Sequence, residues 1–247
     1  MDLSTKCARP PWPAVILGVP ALICTVVLEI FGRDEKGLFV DGHPATVILW
    51  LLTAAMVITA VWSVRPYGKK AKYKQMFPAN TWAAGTAVFA STTLFSSALN
   101  IWNSGNTTLE IVASVLGFLS AVAMMSLAMC RYQGNRGSYL SWALVTVFLM
   151  LRLMFAYREW SAEPALMAYF FPLMASVCLL LVMYYRTAIS VGMGNVRMYL
   201  LLSQLAAFFC LAATVIPDKF YFGMALWCLV DLPDLDALLP GSREDAP

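Results

Sequence analysis

Long apolar runs succeed one another along this chain, and the connections between them are too short to hold a soluble domain. They fall near residues 12–31, 44–64, 80–102, 108–130, 138–157, 165–185 and 198–216, with a shorter run at 219–232. A bilayer core about 30 Å thick takes roughly 20 apolar residues as a helix. In lipid each run has to be helical, because hydrocarbon offers the backbone no hydrogen-bond partner. A membrane barrel would show short alternating segments instead. Composition agrees: 60% of the 247 residues are hydrophobic and only 13% are charged, where soluble domains carry about a quarter.

The fold class expected is therefore all-α, a polytopic membrane helical bundle with seven full spans plus a short eighth. Residues 1–247 form a single transmembrane domain, of which 233–247 is a short acidic tail expected to be disordered. The segment 220–232 reaches only about 20 Å as a helix. That is short for a crossing, so seven spans is the alternative to eight. Lys6 and Arg9 precede the first run as in a signal peptide, but no small-x-small cleavage pattern follows Phe31. The first run is read as a retained helix.

Charge sets the expected orientation. The segment RPYGKKAKYK at 65–74 carries five basic residues and no acid. Such a loop stays cytoplasmic. With alternation, and if the eighth segment spans, 12 of the 17 basic residues fall inside, among them Arg131, Arg136, Arg186 and Arg197. Arg33, Lys36, Arg158 and Lys219 fall outside. Trp12, Trp62, Trp82 and Trp142 then mark inner ends, and Trp102 and Trp160 outer ends, as an interfacial aromatic belt does. The N-terminus is expected in the cytoplasm. The basic loop is read as a topology determinant in contact with lipid headgroups, with no nucleic acid as partner.

Absences narrow the chemistry. His43 is the one histidine, which excludes a multi-histidine zinc site. There is no H-E-x-x-H helix, no G-x-S-x-G elbow, no Walker motif and no G-x-G-x-x-G. No lysine lies within a span, so a retinal Schiff base has no anchor. Neither a metal nor a cofactor is expected. The six cysteines, at 7, 24, 130, 178, 210 and 228, form no C-x-x-C pair and are expected to be free thiols. Asn106-Thr107-Thr108 fits a glycosylation sequon, in a loop so short that it is taken as chance.

One residue resists the apolar background. VTVFLMLRLMFAYREW, residues 145–160, sets Arg152 among large apolar side chains. It lies about six residues, or roughly 9 Å, below the outer end of its span. Snorkelling covers part of that depth, and the remaining cost favours a partner. Glu29 and Glu110 share its depth, whereas Asp231 falls at the opposite face. On this reading the middle and inner leaflets hold almost no charge. In the third span Thr86, Ala90, Thr93, Ser97, Asn100 and Ser104 follow one helical face. The third and fourth spans are joined only by NSGNT and must be antiparallel neighbours. The fourth shows Glu110, Ala113, Gly117, Ala121 and Met124 along one face, where small residues admit a partner helix.

Two readings fit this cluster. In one, the polar and small residues are packing glue and the charges form a pair that fixes the bundle. In the other, Arg152, Glu29, Glu110, Asn100, Ser97 and Thr93 line an outward-open polar cavity for a small-molecule ligand or ion. Three functions follow: a small-solute transporter or its substrate-binding membrane subunit, a non-catalytic sensor or scaffold with a membrane protein partner, and a lipid-modifying membrane enzyme. The first is preferred and catalysis is not expected.

Overall fold

The computed structural model describes residues 12–32, 44–68, 73–104, 107–160, 166–214 and 219–234. Cys7, His43, Asn106, residues 69–72 of the basic loop and the acidic tail beyond Asp234 lie outside them. The described residues form α1 (Trp12–Phe31), α2 (Pro44–Val64), the single turn α3 (Tyr73–Met76), α4 (Thr81–Ser104), α5 (Thr108–Tyr132), α6 (Tyr139–Trp160), α7 (Leu166–Val191), α8 (Val196–Ala213) and α9 (Phe220–Val230). No strand occurs among them. The protein is an all-α membrane bundle.

Six helices, α1, α2, α5, α6, α7 and α8, are long and apolar enough to cross a bilayer. At 24 residues α4 has the length as well, but its serines and threonines lower its hydropathy below theirs. α9 has 11 residues, about 16 Å of helix, roughly half a bilayer core.

Six helices close a ring. α4 packs on α5, α5 on α6, α6 on α7, α7 on α8, α8 on α9, and α9 back on α4. α1 and α2 pack on each other and on α8. Their exposed Ile16, Ile23, Leu51 and Ile58 suit a lipid-facing surface. Small residues set the close approaches within the ring. A Cβ at Gly117 of α5 would lie 2.7 Å from the Ala98 Cβ of α4 and 2.8 Å from Phe148 Cε2 of α6. A Cβ at Gly223 of α9 would run into the Thr93 side chain of α4. Ser91 adds a direct tie, donating from α4 to the Ala121 carbonyl of α5 at 2.7 Å.

Helix ends follow their caps, not the hydropathy profile. α5 begins with a capping box, in which Thr107 N donates to Glu110 Oε2 at 3.0 Å and Glu110 N to Thr107 Oγ1 at 3.4 Å. It ends in a Schellman motif at Gly134, φ +69°, with Asn135 N bonded to Cys130 O at 2.9 Å and Gly134 N to Arg131 O at 3.3 Å. α7 ends in the same way at Gly192, φ +88°, with Met193 N bonded to Ala188 O and Gly192 N to Ile189 O, each at 3.0 Å. α7 therefore runs past the apolar stretch that stops near 185. α9 ends against α8, where Ser203 Oγ donates to Cys228 O at 2.9 Å and Tyr199 Oη to Asp231 O at 2.8 Å. Carbonyls that a helix terminus leaves unpaired are thus satisfied inside the protein.

The middle of the ring is mostly apolar, and its buried hydroxyls Ser91 and Thr93 donate to backbone carbonyls. Ala90 and Leu94 of α4, Val145 and Phe148 of α6, Leu179 and Val182 of α7 and Met224 of α9 are all fully buried. This layer separates two polar ends. Cys24, Cys130, Cys178, Cys210 and Cys228 are free.

Candidate functional site

Arg152 projects from α6 towards α4 and α9. Its Nη1 donates to Ser97 Oγ on α4. Its guanidinium lies 4.1 Å from the Phe220 ring centroid and 5.7 Å from that of Tyr221, at the start of α9. A cation against an aromatic face gains about 0.5–2 kcal/mol, more where water is excluded. Tyr221 Oη is 3.1 Å from Ser176 Oγ of α7, which donates to Pro172 O at 2.9 Å. Side chains of α4, α6, α7 and α9 therefore meet around this cation.

The other residues expected there, Thr93, Glu110, Asn100 and Glu29, have the following places. Thr93 is buried, but its hydroxyl donates to Ala90 O in its own helix at 2.9 Å, and its side chain packs on Gly223. Glu110 serves the capping box that starts α5. Asn100 is exposed. Glu29 is partly buried on α1, a helix that packs on α2 and α8. The structure thus joins Arg152 to Ser97 and gives Thr93 and Glu110 local structural contacts.

The opposite end of the ring corrects the expectation that it holds almost no charge. Arg131, near the end of α5, donates from Nε to Asp231 Oδ1 at 2.7 Å and from Nη1 to Pro78 O at 2.5 Å. Arg186, near the end of α7, brings Nη2 to 3.3 Å from Asp231 Oδ2. Asp231 caps the C-terminus of α9, so its charge adds to the negative end of that helix. All three residues are buried: Arg186 and Asp231 are each 1% exposed and Arg131 7%. Aromatic faces surround Arg186, with Phe77 3.5 Å, Trp142 5.0 Å, and Tyr73 and Tyr199 5.7 Å from its Cζ.

Here two buried guanidiniums face one buried carboxylate. Arg186 Nε, Arg186 Nη1 and Trp142 Nε1, all donors, and the acceptor Asp231 Oδ2 are buried and have no hydrogen-bond partner among the described residues. A buried donor left in that condition costs about 1–3 kcal/mol. The donors border a recess lined also by Tyr73, Arg131, Trp227 and Asp231, with about 290 Å³ of empty space including the open solvent at its mouth. Its interior admits a water-sized group. Asn135, Gly137 and the Arg136 guanidinium, 5.2 Å from the Tyr73 ring centroid, lie at this end.

Hydropathy hid this cluster for definite reasons. Spans drawn to 130 and 185 leave Arg131 and Arg186 as loop charges, one residue beyond the apolar run in each case. Trp142 looks like a belt residue but is buried, whereas Trp62 and Trp82 are 74% and 79% exposed, as a belt requires. The alternation of spans already set Asp231 at the same end as both arginines, and that was the available signal. Among the described residues no group of three or more His, Cys, Asp or Glu is placed to hold a metal ion. Comparison with family models, with curated proteins and with solved structures finds no match.

Proposed function

We propose that this chain is a small-solute transporter, or the substrate-binding membrane subunit of one, working through the ring formed by α4 to α9. The observation that carries this reading is the layering inside the ring. Arg152 and Ser97 occupy one end, Arg131, Arg186 and Asp231 the other, and a fully buried apolar layer lies between them. A solute path gated by a hydrophobic constriction would have polar groups at its two ends and an apolar middle. The short, protein-enclosed α9 adds support. Helices that stop at membrane depth are tolerated where protein covers the break, and transporters place their sites beside such elements.

In this reading Arg152 receives the carboxylate or phosphate of an anionic or zwitterionic solute. The N-terminus is cytoplasmic, as the basic 65–74 loop favours, and the Arg152 end faces outward. The test is a thermal-shift screen of the purified protein against ions, amino acids, vitamins and lipids, followed by flux into proteoliposomes. A soluble ligand that shifts wild type but not Arg152→Ala, and that crosses the bilayer, supports transport. A shift with lipids alone points to a lipid-modifying enzyme. No shift at all, with proteins that co-purify, points to a sensor or scaffold.

A further inference from the structure

We infer that the recess between α5, α6, α7 and α9 is a binding site for a small anion of halide or formate size. The inference stands on that recess alone and does not require transport.

Charge comes first. Arginine stays protonated in proteins, so Arg131 and Arg186 bring two fixed positive charges. Asp231 brings one negative charge and engages both. Among the residues lining the recess one positive charge is left in excess, offset in part by the negative C-terminal ends of the helices that meet there, and Arg186 is 1% exposed, where a charge calls for a counter-ion. Donor geometry comes second. Arg186 Nε, Arg186 Nη1 and Trp142 Nε1 are buried N–H donors without an acceptor among the described residues, and Trp142 and Arg186 both line the recess. Donors on a guanidinium and an indole demand an acceptor, and neither group can supply one.

Access comes third. The recess is reached through its solvent-open mouth, and Gly137 lets its wall pack closely, since a Cβ there would run into Leu127 Cδ2 and meet Trp142 Nε1 at 3.2 Å. Size sets the class. The interior has room for about one water-sized group, so a halide such as chloride seated towards the mouth, or the leading oxygen of a formate whose other atoms stay in the mouth, is the upper limit, and a whole phosphate ester is excluded. The apolar walls, Met124, Leu127 and Trp227, suit a weakly hydrated monovalent anion better than a divalent one. The same charge attraction would also draw a lipid headgroup phosphate to the mouth, and the experiment has to separate the two sources.

The full chain is purified in a non-ionic detergent without added halide or carboxylate. Chloride, bromide, formate and inorganic phosphate are each titrated at constant ionic strength, with melting temperature and calorimetry as readouts. Mixed micelles with phosphatidylglycerol or phosphatidylcholine form a separate arm. The expected result is saturable stabilisation by bromide, chloride or formate. Trp142→Phe keeps the ring but removes a donor to the anion, and weakens the apparent affinity about tenfold. Arg186→Gln abolishes the response. Trp62→Phe, on an exposed face of α2 outside the ring, leaves it unchanged; a response that Arg152→Gln removes and Arg186→Gln keeps belongs to the Arg152 end and overturns the recess. A response to phosphatidylglycerol alone overturns the assignment and moves the site to a lipid headgroup. The absence of any saturable response in wild type also overturns it. So does a response that Trp142→Phe and Arg186→Gln leave intact, and the Trp142→Phe measurement decides if Arg186→Gln fails to fold.

Discussion

Arg131 and Asp231 stand 100 residues apart in sequence, and their side chains meet at 2.7 Å between the end of α5 and the end of α9. The pair fastens the last helix of the ring to its second. Asp231 also serves Arg186, so the cluster is asymmetric: one anion answers two cations.

That asymmetry ranks the substitutions. Asp231→Ala strands two buried guanidiniums and is expected to destabilise the protein by at least the 3–5 kcal/mol, roughly, of a broken buried pair. Arg131→Ala leaves Asp231 still engaged with Arg186 and should cost less. In a double-mutant cycle, adding Arg131→Ala to Asp231→Ala should recover part of the loss. Unfolding in detergent measures all three variants. Strict additivity would show that the two side chains are not coupled.

At the other end, Arg152→Ala should leave the melting temperature close to that of wild type and remove the response to the soluble ligand. Arg152 is partly buried; its loss removes the Ser97 hydrogen bond, worth about 0.5–1.5 kcal/mol, and the contact with the Phe220 ring, worth about 0.5–2 kcal/mol, and relief of the guanidinium's desolvation offsets much of this. A large drop in expression or melting temperature would instead assign Arg152 to holding the bundle together.

Gly223→Val should open the contact between α4 and α9, because the new side chain collides with Thr93. Overpacking of this kind costs about 1–3 kcal/mol. Thr93→Ala in the same chain should return part of that stability. Equal melting temperatures for the single and double variants would mean that α9 is not packed on α4 at this point.

All six cysteines should titrate as thiols in denaturant without reductant. In the folded protein Cys178, Cys210 and Cys228, which are buried, should react far more slowly than after unfolding. A deficit of two thiols would reveal a disulfide.

Orientation is open to a direct test. A reporter fused after Lys74 should read cytoplasmic, and one fused after Ser104 external. A cytoplasmic signal from position 104 would turn the molecule over and place the Arg131–Asp231 end outside.

The sequence was most informative where physics acts over many residues. Seven long helices and a short one follow from the length of the apolar runs, and the tight pairing of α4 with α5 follows from a connection too short for anything else. The small face at Ala113, Gly117 and Ala121 was legible too, and those residues are buried. Single-residue decisions were not legible. Arg131 and Arg186 sit within a turn or two of their helix ends, and a hydropathy window cannot say whether such a side chain turns inward or towards headgroups. Closure of the ring decides it, because only closure brings Asp231 from the far end of the sequence to meet both. Glu110 shows a contact of another kind: its carboxylate caps the Thr107 N–H at the start of α5, which its depth in the bilayer does not indicate.

The brevity of α9 bears on the order of events during biogenesis. An 11-residue segment of about 16 Å is a weak candidate for insertion as an independent transmembrane unit. It is also the last ring element to leave the ribosome, and it is the one that bridges α4 and α8. Until it arrives, the flanks of α4 and α8 that it will cover face lipid or a chaperone, and Arg131 and Arg186 wait without their carboxylate. The ring of contacts can therefore close only once α9 and Asp231 have been made, whatever the state of the longer helices before that.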